Sequence, residues 1–180
     1  MSDIRLRTFI MHVEDLPGVL NRVTSLFRRR GYNIESLAVG RTEVPGVSRM
    51  TIVMEADDDA ARRIEANLYK LVNVLRVDDT TRRPTVSREL ALMKVRADHS
   101  TRAHILQLAE VFRARPIDVG PEALIFELTG TRDKIDGLAD VLAPYGLIEV
   151  VRTGAVAMLR SAEVADATPK TLEEPQITAA

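Results

Sequence analysis

Residues 4–31 read IRLRTFIMHVEDLPGVLNRVTSLFRRRG, and this stretch decides the fold. Its first part, residues 4–13, is apolar and β-branched enough to predict a strand. The chain then turns at residues 14–18 (EDLPG), where Pro17 suits the first turn of a helix and Asp15 is a suitable helix cap. The stretch therefore predicts a strand that leads directly into a helix.

The predicted helix has one apolar face and a clear end. Leu20, Val23 and Phe27 recur at helical spacing, which predicts that they face the core. Gly31 follows three arginines, a combination that is typical of a helix C-terminus. At the other end, the free amides of Gly18, Val19 and Leu20 would form an anion site, and Gly18 would let a ligand approach the backbone closely.

The sequence that follows completes a βαββαβ unit. Two strands are predicted at residues 33–41 and 47–55, joined by a turn at a Pro-Gly pair. A second helix opens on three aspartates, residues 57–59. Residues 72–77 are predicted to form a short closing strand.

The same pattern repeats in the second half of the chain. Its strands are predicted at 88–95, 117–119, 124–128 and 147–151, and its helices at 101–113 and around 135–142. The apolar positions of the first helix recur 85 residues further on, at Ile105, Leu108 and Phe112. An internal repeat indicates a tandem fold, here of class α+β. The predicted limits are 1–80 for the first domain, 81–87 for a linker, 88–160 for the second domain and 161–180 for a disordered tail.

Composition and charge exclude several classes of protein. The chain has 180 residues, of which 46% are hydrophobic, so it can bury a core. Its net charge of −1 gives no overall attraction for nucleic acid or an anionic membrane. It has no cysteine, no signal-peptide pattern and no run near the ~20 apolar residues of a membrane span. We therefore predict a cytoplasmic protein.

Domain size predicts self-association. Each unit has only about 75 residues, a size at which a domain buries little surface. Its apolar strands also leave open sheet edges, which proteins cover or pair. We therefore expect a homodimer.

The residues around the first turn suit a free amino acid, which needs donors for its carboxylate and acceptors for its ammonium group. Asp15 and Asn33 offer the acceptors, and Leu16, Val19 and Ile34 offer apolar walls for a branched side chain. From the residues alone, however, an ordinary capped helix start is the simpler interpretation of the turn. The local pattern by itself leaves both possibilities open.

The turn also carries a family resemblance. Residues 15–20 (DLPGVL) resemble the ligand-loop motif of ACT domains, and residues 30–37 (RGYNIESL) resemble the small subunit of acetolactate (acetohydroxyacid) synthase. The resemblance runs in order from about residue 4 to residue 159. Further matching segments lie at 48–52, 70–75, 88–92, 117–119, 128–130 and 148–154.

The resemblance implies two tandem ferredoxin-like domains, an N-terminal ACT domain and an ACT-like C-terminal domain. It implies a non-catalytic regulatory subunit of acetolactate synthase, an enzyme of valine, leucine and isoleucine biosynthesis. Such a subunit activates a catalytic large subunit and confers feedback inhibition, usually by valine. Thiamine diphosphate, FAD and magnesium would belong to the large subunit, and this chain would hold no cofactor or metal. In the family, the second domain is usually linked to the catalytic subunit.

The resemblance also implies where the effector binds. In the family it lies between two N-terminal domains, where the turn of one chain faces the second strand of its partner. One departure is that position 15 is Asp here, where many family members have Asn. The implied effector-binding residues are Asp15, Leu16, Pro17, Gly18, Val19 and Leu20, with Asn33 and Ile34 from the partner.

The residues disfavour three other functions. RNA-recognition modules share the βαββαβ order but stack bases on aromatic side chains, and aromatic residues are only 4% of this chain. An acylphosphatase would need a glycine-framed arginine loop, and an amino-acid-sensing transcription regulator would need a helix-turn-helix, and neither pattern is found. His12, His99 and His104 lack the spacing of a metal site, so structural or surface roles are predicted for them.

Overall fold

The computed structural model describes residues 4–161, which divide into two compact units. The first unit contains residues 4–35, 39–85 and 159–161, and the second contains residues 36–38 and 86–158. The strands are β1 (Arg5–Glu14), β2 (Ser36–Arg41), β3 (Val47–Ala56), β4 (Val74–Asp79), β5 (Thr85–Arg96), β6 (Arg115–Val119), β7 (Ala123–Gly130), β8 (Leu147–Arg152) and β9 (Val156–Leu159). The helices are α1 (Val19–Arg29), α2 (Asp58–Leu68), α3 (Arg102–Val111) and α4 (Arg132–Leu142), and Ala143–Tyr145 forms a 3-10 turn.

The first unit is a four-stranded sheet in the order β2-β3-β1-β4. β1 runs antiparallel to both β3 and β4, with Glu14 opposite Val47. Alternate residues of the central strands, such as Phe9, Met11, Ile52 and Met54, are fully buried on one face, as a period of two predicts. On the opposite face, Ile10, Thr51 and Val53 are buried as well. The largest buried side chains of this unit are Phe9, Met11, Phe27, Met50, Ile52, Met54, Ile64 and Leu68.

The second unit repeats this arrangement with the order β6-β7-β5-β8, and β9 pairs with β5. Its core includes Met93, Ile105, Leu124, Phe126, Ile135 and Leu138. The two predicted βαββαβ units are therefore confirmed. β9 was not predicted, because four residues after a glycine turn give too short a pattern to recognise.

Helix ends follow the predicted local chemistry. α1 ends beside Gly31, which has a φ of +72° and so supplies the left-handed residue that commonly closes a helix. The Asp57 carboxylate accepts a hydrogen bond of 2.7 Å from the amide of Ala60 and so caps α2. Both ends are set by residues within one turn of the helix.

Most strand limits differ from the prediction by one to three residues, and three of the strands show how. β2 starts at Ser36, later than residue 33, because the chain must first cross from the helix to the edge of the sheet. At that edge the Glu35 amide donates a hydrogen bond to the carbonyl oxygen of Val53. β4 covers Val74–Asp79, and β5 already starts at Thr85. Asn33 therefore precedes its strand.

The buried face of α1 also differs from the prediction. Leu20 was expected in the core but is 41% exposed, whereas its neighbour Val19 is buried. In α3 the buried residues are Ile105 and Ala109, so burial repeats at an offset of 86 residues, one more than predicted. Adjacent apolar residues lie about 100° apart around a helix, and packing against the sheet selects between them.

Three further predictions concern the C-terminal tail, membrane spans and metal sites. The predicted tail lies outside the described residues, apart from Ser161. Within residues 4–161, no helix is long and apolar enough to cross a membrane. In the same range, no group of three or more His, Asp or Glu side chains is placed to hold a metal ion.

Candidate functional site

The first turn leaves an open space at the start of α1. Gly18 is the N-cap residue of α1 and has a φ of +83°, a conformation that favours glycine. A Cβ atom at this position would have nothing within 4 Å. On the sheet side, the Asp15 amide donates to the carbonyl oxygen of Gly46 at 2.8 Å, which fixes the turn to the β2–β3 hairpin.

Asp15 is not the helix cap that the sequence predicted. Its carboxylate accepts a hydrogen bond of 3.1 Å from the Ser48 hydroxyl and forms an ion pair of 3.1 Å with Arg41. α1 has no side-chain cap, because its N-cap residue is Gly18, three positions further on. Asp15 thus places a negative charge beside the turn, where a ligand ammonium group would find an acceptor.

One predicted amide donor is already used. The Val19 amide donates to the carbonyl oxygen of Leu16 at 3.3 Å, so the prediction that it is free was wrong. The Val19 side chain is buried, whereas Leu16 is 56% exposed and Leu20 lies at the surface as well. The apolar surface that the turn presents to solvent is therefore made by Leu16 and Leu20.

Asn33 and Ile34 lie at the other end of the sheet. β2 pairs with β3 in a hairpin and so runs parallel to β1, which puts its start at the end of the sheet away from the turn. The six residues of β2, at ~3.3 Å per residue, separate Asn33 from that turn by about 20 Å. One chain does not bring the two parts of the predicted site together.

Asn73 is a component of the turn that sequence reasoning missed. It is buried, its carbonyl accepts from the Glu14 amide at 2.9 Å, and its side chain donates to the Glu14 carboxylate. Its amide oxygen also accepts from Arg22 of α1 at 2.5 Å. It therefore ties the residue before the turn to the helix after it. The available signal was a lone amide within the apolar segment 71–75.

The turn of the second unit, between β5 and α3, is chemically different. The Asp98 carboxylate folds back and accepts from the amides of Ser100 and Thr101 at 2.9 and 2.8 Å. The Ser100 hydroxyl, together with Thr101, lowers the pKa of Asp98 to about 2. These amides are thus occupied by the protein's own carboxylate. The turn at Gly18 has no side-chain cap and is the better candidate for an external carboxylate.

His12 lies on β1 two residues before Glu14, opposite Arg49 on β3 and Arg76 on β4. Its Nδ1 is buried and has no hydrogen-bond partner among the described residues. Burial, with these two arginines, lowers the pKa of His12. This environment favours the neutral ring and fits the structural role predicted for it.

Two βαββαβ units, with an open glycine turn after the first strand, define the class as tandem ferredoxin-like ACT domains. Two family descriptions match: "AHAS small subunit-like ACT domain" over residues 9–76 and "Small subunit of acetolactate synthase" over residues 88–161. Together they cover most of both units. The chain belongs to the family of acetolactate synthase small subunits.

Individual relatives agree with this assignment. The acetolactate synthase small subunit of Mycolicibacterium smegmatis is 49% identical over 153 residues, 85% of this chain and 90% of the relative. That of Mycobacterium leprae is 47% identical over 160 residues, 89% and 95% of the two chains. The crystal structure of the small subunit from Thermotoga maritima superposes with a TM-score of 0.80 at 43% identity, covering 87% of this chain and 98% of that one.

Proposed function

We propose that this chain regulates a catalytic large subunit of acetolactate synthase, without being catalytic itself. Membership of the small-subunit family and the ACT-type first unit support this proposal. The large subunit would carry thiamine diphosphate, FAD and magnesium. The small subunit would activate it and make it sensitive to an end product of branched-chain amino acid biosynthesis.

The effector is a branched-chain amino acid, with valine as the first choice. At the turn, Gly18 has a left-handed backbone conformation, and no atom lies within 4 Å of the position that a Cβ would take. This leaves room for a carboxylate near the start of α1. Asp15 supplies an acceptor for the ammonium group, and Leu16 and Leu20 supply apolar surface. This uncapped, unfilled turn is the observation that carries the proposal.

The apolar surface predicts the selectivity of the site. Valine has two more methyl-sized groups than alanine, each worth about 0.8 kcal/mol on burial, so roughly tenfold tighter binding is expected. Threonine is nearly isosteric with valine, and a purely apolar pocket would discriminate poorly between them.

The site is completed across a homodimer. Asn33 lies about 20 Å from the turn of its own chain, by the strand length given above. A two-fold axis that brings the start of β2 of one protomer to the turn of the other would place Asn33 and Ile34 against the effector. The predicted dimer and the predicted effector site thus depend on the same arrangement.

The primary test is calorimetric titration of the purified chain with valine, leucine and isoleucine, followed by assays of the cognate large subunit with and without the chain. Saturable valine binding, activation, and inhibition by valine are expected. The chain alone should have no acetolactate synthase activity. Absence of heat with all three amino acids, at concentrations that inhibit the reconstituted enzyme, would disprove the effector assignment.

A mixing experiment tests the shared site. Gly18→Asp should damage the turn and Asn33→Ala the facing strand, so each variant alone should bind valine weakly. A mixed dimer would contain one site with both defects and one with neither. After random exchange, about a quarter of the wild-type sites should return. If no sites return although exchange is shown by mass spectrometry, the turn and Asn33 do not form one site across the dimer.

A further inference from the structure

A groove on the helical side of the first unit is not used by the effector site. It has a volume of about 420 Å³ and lies between the second half of α1 and the end of α2. Leu26 and Leu71 form its apolar part, and Arg29, Arg30, Asn67 and Lys70 complete its lining. Val72, the residue after Leu71, is 89% exposed. The surface is thus apolar at its centre and basic around it.

The cations around this groove have no acidic partners. Arg30 and Lys70 both donate to the same neutral acceptor, the amide oxygen of Asn67, at 3.2 Å. Within residues 4–161, no ion pair with a carboxylate is formed by the three cations that line the groove, Arg29, Arg30 and Lys70. The same holds for Arg28, next to Arg29 in the chain, and for Arg63, one helical turn before Asn67. Five uncompensated positive charges are notable in a chain whose net charge is −1.

A solvated helix end explains only part of this arrangement. Cations favour the negative end of a helix, which accounts for arginines in the last turn of α1. It does not account for Arg63 in the middle of α2, nor for the exposed side chain of Val72 next to the charges. Apolar surface rimmed by polar residues is typical of a protein-binding site.

We propose that this groove binds an acidic segment of the catalytic large subunit that inserts an apolar side chain between α1 and α2. This inference rests on the proposed function, because it assumes that a large subunit is the partner. The charge pattern selects an acidic partner, and the groove between Leu26 and Leu71 selects an apolar anchor. The groove and the effector turn share no residues.

The test reverses two charges of the groove in the full chain, Arg29→Glu with Lys70→Glu. The control reverses two exposed cations that do not line it, Arg62→Glu with Arg88→Glu. Activation of the cognate large subunit is titrated with each small subunit at several salt concentrations. The groove variant should need about tenfold more protein for half-maximal activation at low salt. The difference from wild type should shrink as salt rises, and the control should behave like wild type.

Calorimetry on the isolated variants separates this inference from the effector proposal. The groove variant should bind valine with wild-type affinity, which shows that its fold and effector site are intact. If it activates the large subunit at wild-type concentrations, the groove is not the docking site, although the effector proposal stands. If the charge reversal prevents folding, Arg29→Gln with Lys70→Gln is compared in the same titration, where an unchanged midpoint again overturns the proposal.

A polyanion is the other partner that a basic surface would attract. Filter binding of single-stranded RNA to the wild-type chain and to the groove variant tests this directly. We expect no specific retention. Retention by the wild type that the groove variant loses would assign the surface to nucleic acid and overturn the assignment to an acidic protein segment.

Discussion

Replacing Gly18 with aspartate should weaken effector binding in addition to a modest loss of fold stability, and the two effects can be measured separately. Gly18 has a φ of +83°, and an L-residue in the left-handed region costs about 1–2 kcal/mol. No atom lies within 4 Å of the new Cβ, so there is no added steric cost. For a chain of this length, the melting temperature should fall by about 2–8 °C.

The effect on valine comes from charge. A carboxylate placed about 4 Å from the carboxylate of the ligand adds a repulsion of about 1 kcal/mol in a water-like medium and about 4 kcal/mol at an effective dielectric constant near 20. The turn residues are exposed, so the lower part of this range applies. We expect about 1–2 kcal/mol, a roughly 5- to 30-fold rise in the valine concentration needed for half-inhibition, with activation retained.

Gly31→Asp is the matched control. Gly31 has a φ of +72°, and its added Cβ would also have nothing within 4 Å, so the two variants carry the same backbone strain. Both should lose thermal stability, measured by calorimetry or circular dichroism, and Gly31→Asp should lose somewhat more because a carboxylate is unfavourable at the C-terminal end of a helix. Only Gly18→Asp should change the valine inhibition curve of the reconstituted enzyme. Equal shifts in both variants, or none in either, would refute the placement of the ligand carboxylate.

Three further predictions concern polar and charged side chains of the first unit. Arg7 is 3% exposed and pairs with Asp58 and Asp79, and Asp58 keeps Arg5 and Arg82 when Arg7 is removed, so Arg7→Met should lower the free energy of unfolding in urea titrations by about 1–3 kcal/mol, the loss of charged hydrogen bonds. Arg62→Ala removes an exposed ion pair with Asp59 on α2 and should lower it by less than about 0.5 kcal/mol; similar losses in the two variants would contradict the role of burial. Asn73→Ala removes the side-chain hydrogen bonds to Glu14 and Arg22 and should lower the free energy of unfolding by about 1–3 kcal/mol. It should also weaken valine binding, and an unchanged affinity for valine would show that Asn73 does not support the site. Because the pKa of His12 is lowered in the folded state, the unfolded state takes up a proton first as pH falls, so the contribution of His12 to stability is full above pH 6.5 and is lost as pH falls through the folded-state pKa. In His12→Gln this part of the pH dependence of the free energy of unfolding, measured by urea unfolding at pH 5–8, should disappear. Its persistence would show that another group titrates.

The amino-acid sequence determined the order of elements and their local ends. The apolar and partly β-branched run over residues 5–14 and the helical spacing in the next segment are enough to define β1 and α1, since each pattern is complete within about ten residues. The end of α1 at Gly31 and the cap of α2 at Asp57 are also local, because donor and acceptor lie within three or four residues. The glycine turn and the family resemblance could also be recognised from the sequence, because each is carried by residues that follow one another in the chain.

The tertiary structure decided which of these residues can act together. Asp15 binds Ser48, 33 positions away, and Arg22 binds Asn73, 51 positions away, so neither partner could be identified from spacing along the chain. Packing against the sheet buried Val19 and exposed Leu20, although the two are equally apolar neighbours. The pairing of β2 with β3 then put Asn33 at the far end of the sheet, a distance that depends on strand order and direction, which local sequence patterns do not encode.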